Sequence, residues 1–500
     1  MEHLDVLVVG AGLSGIAAGH HLQETCPWAE YAIFEGRDAI GGTWDLFRYP
    51  GIRSDSDMYT LGYPFRPWND PQSIADGGPI LEYIRDTAAE EGIDERIRFG
   101  HRVVSLDWNS DEARWHVVAE VGPEGGERER VELTCGFVMS CTGYYRYDHG
   151  YTPDFEGMDR YLGRLIHPQH WPEDLDYEGR SVVVIGSGAT AVTLVPAMAD
   201  TASHVTMLQR SPTWMASGPR NNPLAELINR ILPARVAGPL VRWMHALGTQ
   251  AFYGFCQRFP KLAGRLLLRG VESQLPEDYD VDTHFRPRYD PWDQRLCLVP
   301  DGDLFGGIAR GRVSVVTDTV DTFTEKGLLL GSGEELEADI IVTATGLELL
   351  FLGGIQLSVD GEPVEVTERL TYKGMMLEGV PNLAMAIGYT NASWTLKCDL
   401  TCDATARLLD EMRDRSITSV TPHSGDAGVT SEPLLGLSAG YVQRALDRLP
   451  LQGSEPPWRV RQSYLADYRA MKLEPVLGEG LRPILGRTAW GRSGNRKVTA

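Results

Sequence analysis

Gly10-Ala11-Gly12-Leu13-Ser14-Gly15 follows the apolar run Val6 to Val9. Gly186-Ser187-Gly188-Ala189-Thr190-Ala191 follows a second run, Val182 to Ile185. Each turn opens onto a stretch with helical character, and strand, glycine turn and helix in that order are the setting in which the motif carries meaning. The first glycine permits the tight turn, the second lets the backbone approach a pyrophosphate, and the third position lets helix pack on strand. The helix N-terminus adds free N–H groups and a partial positive charge. One such turn is weak evidence. Two, each in context, predict two bound dinucleotides; turns that only connect strand to helix are the alternative.

The segment after each turn separates the two ligands. Glu35 ends the apolar segment Tyr31-Ala32-Ile33-Phe34, twenty-five residues after Gly10. A carboxylate there accepts from ribose hydroxyls and repels a 2′-phosphate. In the second unit His204-Val205-Thr206-Met207-Leu208 ends in Gln209-Arg210-Ser211, with Arg210 twenty-four residues after Gly186. A guanidinium there suits a 2′-phosphate, which it can grip bidentately. The first site therefore reads as FAD or NAD, its N-terminal place favouring FAD, and the second as NADPH.

The chain has 500 residues and a net charge of −22, which argues against nucleic-acid binding. Seven cysteines, an odd number, do not make a disulfide framework. Met1-Glu2-His3 passes straight into the first strand, so no signal peptide is expected. No apolar run approaches the ~20 residues a spanning helix needs. A cytoplasmic location is therefore the expectation.

The fold class expected is α/β, with two dinucleotide-binding, Rossmann-like domains. Residues 1–150 and 346–485 form a discontinuous FAD-binding domain and residues 151–345 the NADPH-binding domain. A helix is expected near Pro79 to Glu91, β-rich pieces from Arg102 to Val121, and a hairpin tip at Gly122 to Arg130. Two return strands, Phe137 to Gly143 and Asp339 to Gly346, both end in Thr-Gly. Residues 486–500 are a polar, basic and frayed tail. Within the second domain, about residues 220–275 read as a helical insertion. Between Arg220 and Glu272 the basic residues number eight and the acidic ones two, with apolar residues at helical spacing. Such a segment can lie on anionic lipid; packing on the protein's own acidic body is the ordinary alternative. Cys398 and Cys402 have helical spacing, but no partner set completes a metal site, and no metal is expected.

Tyr161-Leu162-Gly163-Arg164-Leu165-Ile166-His167-Pro168-Gln169-His170-Trp171-Pro172 joins the two units. It resembles the FxGxxxHxxxWP fingerprint of type I Baeyer–Villiger monooxygenases, with Tyr161 where phenylalanine is usual. Gly41-Gly42-Thr43-Trp44, Tyr49-Pro50-Gly51 with Asp55, and Asp339 through Ala344-Thr345-Gly346 match further motifs. The strings Trp292 to Cys297 and Gly388 to Trp394 are most similar to the mycobacterial-type ethionamide-activating members. Trp171-Pro172 favours the Baeyer–Villiger branch over the N-hydroxylating relatives.

The resemblance implies an enzyme that uses NADPH, FAD and O2 to place one oxygen atom in a ketone, giving an ester or lactone, or on sulfur in a thioether or thioamide. It implies that Arg295 stabilises negative charge on the activated oxygen and that Asp55 orients it. From position alone, a surface salt bridge would be the better reading of Arg295. The flavin is expected to meet Gly10, Gly12, Ser14, Gly15, Glu35, Gly42, Thr43, Trp44, Asp45, Asp55 and Val103. NADPH is expected to meet Arg53, Ser54, Gly186, Ser187, Gly188, Ala189, Thr190, Ala191, Gln209, Arg210 and Ser211. Asn391 and Ala392, before a helix starting near Thr395, are expected beside the flavin ring. His167 would couple domain movement to cofactor position; a linker histidine without such a role is the alternative. Family members often carry lysine just before the arginine; here Gln294 stands there, which leaves Arg210 most of the discrimination against NADH. Two rival readings remain, an N- or S-oxygenating enzyme with little ketone activity and an NADPH oxidase or redox-sensing flavoprotein.

Overall fold

The apolar runs become two sheets. A computed structural model describes residues 1–123, 125–425, 429–486 and 490. In the first sheet the parallel strands run in the order Ile97–Arg98, Tyr31–Phe34, Glu2–Val9, Glu129–Ser140. Val6 to Val9 are buried on both faces, which explains a continuous apolar run rather than alternation. The 12-residue strand Glu129–Ser140 is shared. Its first half pairs antiparallel with Arg114–Val121, and its last residues pair in parallel with Leu383–Met385. Strand His101–Asn109 extends the antiparallel part and in turn takes Gln356–Val359. Segments from beyond residue 346 thus complete the first sheet. Helix Trp394–Asp414 packs on helix Leu13–Thr25, the one that follows the first glycine turn.

The second sheet is all parallel, in the order Val313–Thr317, His204–Gln209, Ser181–Ile185, Ile340–Thr343, Arg164–Ile166. In both sheets the strand before the glycine turn lies between its successor and a return strand. That reversal of strand order is where α/β sheets leave a crevice for ligands. The same contact shapes both turns. Gly10 has φ +102°, and a Cβ there would meet the Cys141 carbonyl oxygen at 2.5 Å. Gly186 has φ +141°, and a Cβ would meet the Ala344 carbonyl oxygen at 2.3 Å. Each return strand therefore presses on the turn, and both positions require glycine.

The expected insertion is three helices, Pro223–Ile231, Ala234–Arg258 and Pro260–Glu272. It does not pack on its own unit alone. Buried Arg242 donates to the carbonyls of Tyr59 (3.1 Å), Thr60 (3.2 Å) and Gly62 (2.5 Å), capping the C-terminal end of helix Met58–Leu61. Helix Gly77–Glu90 and the hairpin Arg114–Val121/Glu129–Ser140 fall where the sequence places them. Of the expected tail, all but residues 486 and 490 lie outside the described residues.

Candidate active site

Val9, Phe34 and Cys141, at the ends of three strands of the first sheet, and Ala189 and Thr190, at the start of the second turn's helix, line one cavity of about 450 Å³. Gly10, Gly12, Ser14, Glu35, Gly42, Thr43, Trp44 and Val103 line it. Arg53, Asp55 and Arg295 line it as well. The long cavity continues past Tyr144, Arg295 and Trp394 into an apolar side chamber of about 40 Å³, walled by Leu349, Phe351, Leu435 and Leu449.

Glu35 is buried at the end of its strand. Its carboxylate oxygens accept the backbone N–H groups of Ala11 (2.8 Å) and Arg37 (2.9 Å), leaving a further lone pair on each oxygen. Burial pushes its pKa up, and the two N–H groups oppose that shift. Gly12 keeps open backbone toward the cavity, its nearest neighbour being the Gly42 Cα at 3.6 Å from a built Cβ. A glycine cradle, a carboxylate at the strand end and a long cavity together fit a dinucleotide. At the second turn nothing lies within 4 Å of a Cβ built on Gly188. Exposed Arg210 makes no ion pair among the described residues. An open turn beside an unpaired guanidinium fits a phosphorylated ribose.

Arg295 lines both the cavity and the chamber. Its Nη2 lies 3.0 Å from Asp55 Oδ2. That carboxylate holds the guanidinium pKa above the ordinary arginine range, and burial opposes it. Its side chain keeps 31 % of its surface accessible, consistent with its lining both chambers. Tyr144, Tyr145 and Tyr441 surround the group. The Tyr144 and Tyr145 hydroxyls are 2.5 Å apart, and the Tyr144 ring stacks on Trp394 at 4.4 Å. Burial raises the pKa of Tyr144 and Tyr145 and brings that of Tyr441 to about 12. These phenols are neutral hydrogen-bonding groups at neutral pH. The loop carrying Arg295 holds Trp292 at φ +76°, an uncommon geometry for a bulky residue. The Asp293 carbonyl accepts from the Ser438 N–H and hydroxyl, both at 3.0 Å, which ties that loop to the segment bearing Tyr441.

Other expected residues lie elsewhere. Asp45 does not line the cavity: its buried carboxylate sits among Arg37 (2.9 Å), Arg85 (3.0 Å) and Arg48 (3.7 Å). Gln209 turns inward, its amide donating to the His284 carbonyl (2.7 Å) and Thr317 hydroxyl (2.9 Å). Gly15 packs against the turn itself, and Gly186, Ser187, Ala191 and Ser211 stay around the second turn outside the cavity. Buried Ser54 also stands off the cavity. Arg53 is paired with Asp303 across the two units. Tyr389, Thr390 and Trp394 line the chamber, while the amide of Asn391, expected beside the flavin ring with Ala392, donates to the Gln462 carbonyl at 2.9 Å.

The linker motif is held by hydrogen bonds to the backbone around it. His167 Nδ1 accepts the Gln169 N–H (3.2 Å), so its Nε2 carries the proton toward the Gly346 carbonyl (3.2 Å). Tyr161 donates its extra hydroxyl to the Ala338 carbonyl at 2.9 Å, and Gly163 packs under that phenol. Trp171 packs on the second sheet's core, and Pro172 follows it. The tyrosine ring around Arg295 escaped the sequence reading. Tyr144 and Tyr145 directly follow the return Thr142-Gly143, a usable signal; Tyr441 has none.

This chain belongs to the flavin-binding monooxygenase-like family, whose sequence model matches residues 4–237. The FAD-containing monooxygenase EthA of Mycobacterium tuberculosis (strain ATCC 25618 / H37Rv) is 54 % identical over 482 residues, covering 96 % of this chain and 98 % of the relative. EthA of Mycolicibacterium smegmatis (strain ATCC 700084 / mc(2)155) is 51 % identical over 490 residues, 98 % of each chain. Among solved structures, an oxidized steroid monooxygenase bound to NADP aligns with a TM-score of 0.75 at 21 % identity, covering 97 % of this chain and 100 % of that one. An open structure of cyclohexanone monooxygenase aligns at 0.68 and 20 % identity, covering 85 % and 90 %. The fold is that of these monooxygenases.

Proposed function

We propose that this chain is an FAD- and NADPH-dependent Baeyer–Villiger monooxygenase that inserts one oxygen atom of O2 into apolar ketones and also oxygenates sulfur in thioethers or thioamides. The observation that carries the reading is Arg295, fixed by Asp55 where the long cavity meets an apolar chamber. Residues 1–150 and 346–485 hold FAD and residues 151–345 hold NADPH. Gly10, Gly12, Ser14, Glu35, Gly42 to Trp44 and Val103 would hold the flavin nucleotide. Gly188, Ala189, Thr190 and Arg210 would hold the nicotinamide nucleotide, and the Arg210 guanidinium would supply the charge that recognises a 2′-phosphate.

The bound flavin supplies electron transfer from NADPH and activation of O2. The protein supplies the field and the shape. Arg295 stays protonated at every working pH and stabilises negative charge that develops on oxygen beside it, a preorganised contribution. Asp55 fixes its direction. Neutral Tyr144 and Tyr441 offer hydroxyls at the chamber wall without adding charge. Leu349, Phe351, Leu435 and Leu449 receive the apolar flanks of a substrate and keep water from the reacting atoms. We place the enzyme in the cytoplasm, with residues 220–272 as the part that reaches a membrane surface.

The test is to mix FAD-loaded protein with NADPH, air and linear, cyclic and aryl ketones plus a thioether, following products by mass spectrometry, NADPH loss and peroxide. An ester one oxygen heavier than its ketone is expected. Sulfoxide without ester would make it a heteroatom oxygenase. NADPH loss matched by peroxide over a wide substrate set would make it an oxidase.

A further inference from the structure

We infer that the helical insertion, residues 223–272, docks the enzyme on an anionic lipid surface. Ten of the 18 large apolar side chains left exposed among the described residues lie in this stretch, about a tenth of the chain. Exposed leucines scattered singly need no explanation; these recur at helical spacing. Leu224, Leu227 and Ile231 share one face of the first helix, with Ile231 67 % exposed. Val236, Leu240 and Leu247 form a stripe on the second, and Leu262 and Leu266 one on the third.

Charge names the partner. Arg230, Arg235, Arg258, Lys261, Arg265 and Arg269 are exposed, and none makes an ion pair among the described residues. This holds in a chain whose net charge is −22. Lys261, Arg265 and Arg269 form a basic stripe immediately beside Leu262 and Leu266. An apolar stripe flanked by unpaired cations is the pattern of a helix lying in a lipid interface. No helix among the described residues is long and apolar enough to cross a membrane, so the contact is a surface one. A symmetric contact with a second copy would set these same cations against one another.

The surface also connects to the site. Arg242 anchors the middle helix to Tyr59, Thr60 and Gly62, and Tyr253 meets Trp292 edge-on at 5.6 Å in the loop that carries Arg295. Docking itself is independent of the oxygenation chemistry. Its use, to bring an apolar ketone from the bilayer to the chamber, rests on the proposed function.

The test is co-sedimentation of the full-length, FAD-loaded protein with vesicles of phosphatidylcholine alone or mixed with phosphatidylglycerol, at low and high salt. Binding only to the mixed vesicles, weakened by salt, is expected. Combining Lys261→Gln, Arg265→Gln and Arg269→Gln should lower that affinity on the order of a hundredfold. Combining Leu262→Ser with Leu266→Ser should lower it too. FAD content, melting temperature and turnover of a soluble ketone should stay at wild-type levels in both variants. No binding to mixed vesicles, equal binding to phosphatidylcholine alone, or wild-type binding by the triple variant would each overturn the proposal. So would light scattering that shows a dimer split by the leucine changes without vesicle binding. Failure to bind with products unchanged removes only the docking; binding without oxygenated product removes only the proposed function.

Discussion

Arg295 and Asp55 come from different units of the chain and meet at 3.0 Å in one cavity wall, the guanidinium standing where the long cavity opens into the apolar chamber. The motif resemblance implies that contact; no periodicity along the chain does. It arises from the packing of the second unit's Arg295 loop over the first unit's segment around residues 53–56.

Loss of the guanidinium should separate reduction from oxygenation. Arg295→Ala is expected to let NADPH bleach the flavin at a near wild-type rate. Oxygenated product should fall by on the order of a hundred- to a thousandfold, the usual loss when a preorganised charge-stabilising group is removed. Anaerobic absorbance at the flavin band and product mass spectrometry check the two halves. Full product formation would remove Arg295 from the mechanism.

Asp55→Asn keeps the shape and removes the charge that directs Arg295. Product formation should drop by about ten- to a hundredfold through misplacement of the guanidinium. The fraction of NADPH ending as peroxide should rise. A variant with unchanged coupling would reduce Asp55 to a loop residue.

Arg210 stands exposed and without an ion pair beside the second turn, among the described residues. Arg210→Ala should raise KM for NADPH about tenfold, the scale of one lost charge-assisted contact, and leave KM for NADH nearly unchanged. Equal effects on both cofactors would show that Arg210 does not meet the 2′-phosphate.

The linker should carry a pH dependence. Burial lowers the His167 pKa below the ordinary 6.5, with the Gly346 carbonyl opposing that shift. A histidine kept neutral by the fold contributes stability above the ordinary value. That stability is lost as pH falls through the depressed folded value, because the unfolded chain binds the proton first. The melting temperature should therefore decline between about pH 7 and pH 5. His167→Asn should make that decline shallower, though not flat, since burial also lowers His3 and His284. An unchanged slope would assign the decline to other groups.

Behind the chamber, Asp467 Oδ2 accepts from buried Lys397 Nζ and from the Tyr389 hydroxyl, both at 2.7 Å. Asp467→Ala leaves the ammonium buried and unpaired and should cost about 3–5 kcal/mol of stability. Lys397→Met combined with Asp467→Leu should recover most of it. Denaturant titration of the three proteins decides this, and additive losses in the double variant would argue against the pair.

Much of the plan is legible along the chain. The glycine turns, Glu35, the Thr-Gly returns and the insertion's helices all depend on nearest neighbours and on short periodicities. Both turns carry φ above +100° against a return carbonyl, which only glycine accommodates. Asp45 reads locally as part of a flavin-binding loop. Its burial among three arginines is set by Arg85 on another helix. Asn391 reads as a flavin neighbour from its place before a helix, and the hydrogen bond of its amide to the distant Gln462 carbonyl is set by tertiary packing.

By itself the sequence determined the two α/β units, their glycine turns, the motif linker and the family, because those features rest on residues close in the chain and on motif spacing. Asp55 apart, which the motif resemblance implies, tertiary structure alone decided what stands around Arg295. The guanidinium, the Asp55 carboxylate, the phenols of Tyr144 and Tyr441 and the leucines of the chamber come from five distant segments. Their meeting depends on how two sheets and an insertion pack, and close packing, unlike periodicity, leaves no local mark on the residues it brings together.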